Sequence, residues 1–106
     1  MKKNNFYFLM IVFFVNFLFL PAKSDTTLEI GKDIFLNKAA CSTCHTLNDA
    51  DSNGQIGPNL NEIKPDKMRV MNAVTNGIGV MPAYEDQLTA EEIEAVSLYV
   101  STSAAN

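Results

Sequence analysis

Tryptophan is absent from this chain, histidine occurs once and cysteine twice. Two cysteines are too few for a disulfide scaffold, which is cysteine-dense. With one histidine they are also too few for a closed zinc site in a single chain, because such a site takes four protein ligands. Basic residues are scarce: 8 Lys+Arg stand against 12 Asp+Glu, for a formal charge of −4. That balance excludes the basic patch of a nucleic-acid binder. A length of 106 residues leaves room for one small domain. Period-2 runs of β-branched residues, internal repeats and low-complexity tracts are all missing.

The long apolar run sits at the start. Phe6 to Leu20 is apolar except for Asn16 and the amphipathic Tyr7. Lys2 and Lys3 precede it, and Pro21-Ala22-Lys23-Ser24 follows with small residues at 22 and 24. A positive start, an apolar stretch and a small-residue cleavage site are the layout of a secretory signal peptide. The alternative is an uncleaved membrane anchor. As a helix the run reaches about 22 Å, short of a roughly 30 Å hydrocarbon core. The expected division is a signal over 1–24 and a mature domain over 25–106, with membrane contact arising if the signal stays attached. The mature part keeps all twelve acids and five bases, so its charge is near −7. Its aromatics are Phe35, Tyr84 and Tyr99. So small a core is marginal alone and would gain from a bound apolar body.

Three helices are predicted. The first spans about Thr27 to Lys38, with Thr26 and Glu29 at capping-box spacing and Leu28, Gly31, Ile34 and Phe35 on one face. The second spans about Pro65 to Asn76, with Pro65 at its first position, Met71 and Val74 buried, Met68 beside them and Gly77 as the stop. The third spans about Ala90 to Thr102. Thr89 and Glu92 form its capping box, and Leu88 and Ile93 its staple. Ile93, Val96, Tyr99 and Val100 make its apolar stripe, and Ser103 to Asn106 reads as a frayed tail. The stretches Cys41 to Lys64 and Gly77 to Leu88 are long, irregular, and suited to carrying a site.

Cys41-Ser42-Thr43-Cys44-His45 is the segment with chemistry. C-x-x-C-H is the attachment motif of a c-type haem. Two thiols three apart on a helical turn can each bond one haem vinyl group, and the next residue projects its imidazole at the iron. Other readings use the same residues. A thioredoxin-like redox pair would want a βαβ pattern around it, and none is seen. A plain Cys41–Cys44 disulfide beside a chance histidine is a further alternative. If haem binds, His45 is the available histidine ligand. Met68 and Met71 sit at helical spacing, which suits core filling. Met81 lies in Gly77-Ile78-Gly79-Val80-Met81-Pro82, where glycines let the chain turn and proline stiffens it. Met81 is therefore the expected second axial ligand, with a packing role as the alternative. Met/His ligation raises the reduction potential of haem iron.

Gly31-x-x-x-Phe35, then Cys41-Ser-Thr-Cys-His45, then Gly57-Pro58-Asn59-Leu60, then Met81-Pro82-Ala83 and a last helix with Tyr99 together resemble a small class I cytochrome c. The run from Asn76 to Val100 is similar to the cytochrome subunit of sulfite dehydrogenases. The resemblance implies an all-α fold, three main helices plus a short helical turn wrapped on one covalent haem c. It implies that Gly31 and Phe35 pack on Tyr99. It implies that the Pro58 carbonyl accepts the His45 Nδ1–H bond, although a plain turn proline is the alternative. Leu60, Met71, Val74 and Ile78 would line the haem. Arg69, Lys67 and Tyr84 are candidate neighbours of a propionate, against the commoner reading of Arg69 and Lys67 as a solvated face.

The expected function is single-electron transfer in the periplasm, by a carrier that is not itself an enzyme. Its partners would be redox proteins: a dehydrogenase, a terminal oxidase or another cytochrome. The rivals are a haem-based ligand sensor with an open sixth position and a thiol–disulfide oxidoreductase. The acidic balance predicts steering toward a basic docking face and association that slows with salt, unless the acidity serves solubility alone.

Overall fold

The computed structural model describes residues 23–106. Of the proposed signal over 1–24, residues 1–22 lie outside them. Four α-helices are present among the described residues: α1 Lys23–Asp33, α2 Leu60–Ile63, α3 Lys67–Asn76 and α4 Ala90–Ala104. Between α1 and α2 run two single 3₁₀ turns, Cys41–Thr43 and Asn48–Ala50, and a minimal antiparallel pair, β1 Thr46–Leu47 and β2 Ser52–Asn53. Thr46 pairs with Asn53 and Leu47 with Ser52. Two-residue strands are too short to leave a periodic trace in sequence.

The long helices α1 and α4 cross face to face, and a glycine makes the crossing possible. A Cβ at Gly31 would stand 2.3 Å from the Ala95 carbonyl oxygen and 2.6 Å from Tyr99 Cβ. Phe35 and Tyr99 then meet edge to face, ring centroids 6.0 Å apart at 64°. The Tyr99 hydroxyl donates to Asp49 Oδ2 at 2.6 Å, which ties the turn between β1 and β2 to α4. Lys32 on α1 joins the same carboxylate at 3.4 Å and donates to the Asp49 carbonyl at 2.9 Å. At its end α1 widens into a π-helical turn over Ile34–Lys38, with the Ala39 N–H bonded to the Ile34 carbonyl. That turn buries Ile34 and Phe35 and delivers the chain to Cys41.

The helix termini differ from the sequence reading in three places. The first helix is already formed at Lys23, so Thr26 lies inside it and caps nothing. At α3 the Asp66 carboxylate accepts the Arg69 N–H at 2.8 Å and takes the N-cap, leaving Pro65 before the helix. The last helix runs on to Ala104, because Ser103 and Ala104 are buried and not frayed. Helix α2 was not foreseen; Asn59 caps it by accepting from the Asn61 and Glu62 N–H groups. The capping box at Thr89 and Glu92 forms as expected, above a buried Leu88 and Ile93.

The buried pair on α3 is Val70 and Val74, not Met71 and Val74. Positions four apart share a face, and Met71 is rotated about 100° off it. Met68, expected beside the buried pair, is 63% exposed. The core gathers Ile34, Phe35, Leu47, Leu60, Val70, Val74, Leu88, Ile93, Val96, Tyr99 and Val100.

Candidate haem site

A cavity of about 900 Å³ opens between α3, α4 and the two long connections. Its volume lies within the ~300–1,000 Å³ usual for cofactor pockets. Val70, Val74, Val96 and Val100 form apolar walls, and Leu60 and Phe35 add to them. Cys41, Cys44 and His45 line one part, and Ile78, Val80, Met81 and Pro82 another.

The Cys-x-x-Cys-His segment is held by local bonds. Ala40 adopts a left-handed conformation at φ 50 and starts the 3₁₀ turn Cys41–Thr43. The N–H groups of Cys44 and His45 both bond to the Cys41 carbonyl, at 3.1 and 3.0 Å. Both thiols are half-buried and unpaired as a disulfide. Burial pushes the Cys41 thiol up to about 11, and proximity to Cys44 adds to the rise. At neutral pH it is therefore a thiol, whereas thiol exchange needs a thiolate. Among the described residues no three His, Cys, Asp or Glu come together as a metal cluster.

His45 is the most constrained side chain of the site. Its Nδ1 lies 2.8 Å from the Pro58 carbonyl oxygen. A carbonyl can only accept, so the proton sits on Nδ1 and the Nε2 lone pair is free. Gly57 lies flat against the ring: a Cβ there would stand 2.6 Å from Cε1 and 2.8 Å from Nδ1. Gly54 similarly admits the backbone at Cys44 and His45, where a Cβ would fall 2.6 Å away. The Ser52 hydroxyl donates to the His45 carbonyl at 3.0 Å.

Met81 is carried by a tight loop. The backbones of Ile78 and Met81 bond reciprocally, at 3.1 and 3.0 Å. Gly77, at φ +74, passes so close that a Cβ would meet the Met81 carbonyl oxygen at 2.8 Å. The Tyr84 N–H bonds to the Val74 carbonyl at 2.8 Å and anchors the loop's far end to α3. Met81 itself is half-buried against the core.

Of the four residues named as haem neighbours, Leu60, Val74 and Ile78 border the cavity, as do Pro58, Cys41, Cys44, His45 and Met81. Met71 does not; it sits half-buried against the core on another face of α3. Lys67 is drawn away by Glu94 at 2.9 Å. Arg69 lines the cavity and pairs with no carboxylate among the described residues. The Tyr84 hydroxyl reaches the Ala39 carbonyl at 3.5 Å, and burial raises its pKa. Sequence reasoning missed Gly57, Ile56, Ile63 and Val80 as parts of the site. Gly57 stood in the noted Gly-Pro-Asn-Leu run, but nothing local marks its contact with a ring twelve residues away.

These residues fit a flat, largely apolar group bonded through two thiols. The cavity has the room, both thiols reach it, and the imidazole presents a free nitrogen.

Comparisons with known proteins agree. Residues 26–100 match the family described as cytochrome c oxidase, cbb3-type, subunit III. The chain is 35% identical over 108 residues to cytochrome c6 of Rippkaea orientalis, covering 92% of this chain and 88% of that one. It is 34% identical over 87 residues to the cbb3-type cytochrome c oxidase subunit FixP of Bradyrhizobium sp., which is 76% of this chain and 29% of that protein. The crystal structure of the c-type cytochrome SorU from Sinorhizobium meliloti matches with TM-score 0.72 and 58% identity, over 76% of this chain and 93% of that one. The fold is that of a class I cytochrome c, with Cys41 and Cys44 attaching one haem c covalently. The chain thus belongs to the c-type cytochromes, as a small haem c electron carrier and not an enzyme.

Proposed function

We propose that His45 and Met81 would be the protein ligands of the haem iron, and that the chain carries single electrons in the periplasm from a dehydrogenase. The observation that carries the ligand reading is the Nδ1–H bond from His45 to Pro58, which leaves Nε2 as the coordinating nitrogen. Such a bond also fixes the ring's orientation and raises its basicity. For Met81, support comes from the reciprocal Ile78–Met81 bonds and the close pass of Gly77, which hold a thioether at the cavity wall. When bound, the haem supplies a one-electron ferric/ferrous couple whose potential Met ligation raises. The chain's own residues keep water from it: Leu60, Val70, Val74, Val96 and Val100 are buried cavity walls. Pro58 and Ile78 cover its margins.

The dehydrogenase partner rests on the likeness of Asn76 to Val100 to sulfite dehydrogenase cytochrome subunits. A terminal oxidase is the second candidate, since FixP is named as an oxidase subunit. Periplasmic location rests on the signal layout of residues 1–24. No helix of the described residues is long and apolar enough to cross a membrane.

The ligand reading is tested with Met81→Ala, produced in a host that attaches haem c. The variant is expected to keep covalent haem, lose the sulfur-to-iron band and titrate at a lower potential. A band and potential like the wild type would take Met81 off the iron. N-terminal sequencing of the exported protein is expected to begin at Asp25.

A further inference from the structure

We propose that Ser52 is a positioning residue for His45: its buried hydroxyl fixes the His45 peptide and, through it, the bond between the imidazole and Pro58. The proposal rests on the reading of His45 as an iron ligand and adds a residue that does not itself line the cavity.

Ser52 stands on β2 and is 6% exposed. Its hydroxyl donates to the His45 carbonyl at 3.0 Å and accepts the Leu47 N–H at 3.0 Å; the Leu47 carbonyl lies further off, at 3.4 Å. A hydroxyl has one proton to donate, and the shorter contact takes it. Leu47 is 0% exposed, so its N–H has no route to water once the hydroxyl is gone. A buried donor left unmet costs more than an ordinary hydrogen bond contributes. Without the hydroxyl, the β1–β2 pair must shift to satisfy that donor.

The shift reaches the imidazole by a short path. The Cys41 carbonyl holds the His45 N–H at 3.0 Å, Ser52 holds the His45 carbonyl, and Pro58 holds the ring at 2.8 Å. Ser52 and Pro58 belong to one connection, 52–58. Two further bonds lay that connection along residues 44–46: the Gly57 N–H to the Cys44 carbonyl at 2.7 Å, and the Thr46 hydroxyl to the Gly54 carbonyl at 2.9 Å. Peptide and ring are thus held from the same segment, and loosening one end slackens the other. A carbonyl bonded to Nδ1–H raises the basicity of the imidazole, and a more basic ligand favours ferric iron. A slacker bond therefore raises the potential.

The β1–β2 pair has another anchor that does not touch His45. Asn61 Oδ1 accepts the Asn48 N–H at 2.7 Å. A change at Asn61 loosens the pair while leaving the His45 carbonyl bonded, and so serves as the control.

The test uses the holoprotein. NMR reads the exchange of the His45 Nδ1 proton with solvent, and a redox titration reads the potential. Ser52→Ala is expected to speed that exchange about tenfold, the worth of one hydrogen bond, and to raise the potential. Ser52→Thr keeps the hydroxyl and is expected to restore both toward wild type. Asn61→Ala is expected to lower the denaturant midpoint and to leave exchange and potential where they were. If Ser52→Ala fails to hold haem, Ser52→Cys, a weaker donor, is expected to move both readings the same way by less. Wild-type exchange and potential in the Ser52 variant, with stability alone reduced, would overturn the proposal. So would an Asn61→Ala protein in which both readings move as far as in Ser52→Ala. Failure of the ligand reading shows elsewhere: the oxidised wild type would then lack paramagnetically shifted imidazole signals, whatever the Ser52 variants do.

Discussion

His45 is clamped on two sides. The Pro58 carbonyl takes its Nδ1–H at 2.8 Å, and Gly57 lies against the ring where a Cβ would stand 2.6 Å from Cε1. The imidazole cannot tilt away without displacing one or the other. Gly57→Ala is therefore expected to break the Pro58 bond and cost about 1–3 kcal/mol, the usual range for overpacking. Denaturant unfolding measures the loss, and a redox titration should show a shifted potential as well. An unchanged potential would mean that the ring keeps its place. At this scale residue type and spacing mark Cys41 and Cys44 as the haem-attaching pair, and they single out His45 and Met81 as the proposed ligands in the same way. The sequence showed the support poorly. Gly57 is silent because its function is the absence of a side chain beside a distant ring. Met71 was paired with Val74 as buried because helical spacing alone does not say which of two neighbouring faces turns inward; Val70 takes that place.

The elements divide along the same line. Helix α4 was readable because Thr89, Glu92, Leu88 and Ile93 all mark one terminus, and each does what its position implies. The start of α1 was not, since Thr26 and Glu29 have capping-box spacing inside a helix that already runs from Lys23. Helix α2 has four residues, too few for periodicity, and only Asn59 hints at it. The α1–α4 crossing is the element-scale feature with the sharpest test. Alanine favours a helix over glycine by about 1 kcal/mol, so propensity alone predicts that Gly31→Ala stabilises. Its methyl, however, would stand 2.3 Å from a backbone oxygen of α4, which cannot swing aside. Overlap wins, and a net loss of about 1–3 kcal/mol is expected. For a domain of this size that is a fall in melting temperature of at least about 4–8 °C. A rise would show that the helices do not cross at Gly31.

For the whole molecule, composition gives the net charge of −4 but not where the acids lie. The pH dependence of stability is better defined. The Tyr99 hydroxyl, and secondarily Lys32, holds the Asp49 carboxyl below its ordinary value of 3.8. A lowered folded-state value means stability that is present above the ordinary value and lost as pH falls through the lowered one. Burial, with Asp49 beside it, raises Tyr99 above its ordinary 10.0. Its contribution is full below that value and lost as pH rises toward the raised one. Asp49→Asn is thus expected to flatten the acid limb of the stability curve, and Tyr99→Phe the alkaline limb, both read by denaturant midpoints across pH. Unaltered limbs would separate this pair from the fold's pH response. The central claim concerns the iron, and the visible absorption spectrum of the holoprotein, oxidised and then reduced, tests it most directly. The account predicts sharp low-spin bands on reduction and a weak far-red sulfur-to-iron band when oxidised, as His45 and Met81 ligation requires. Covalent haem without the sulfur band would contradict it.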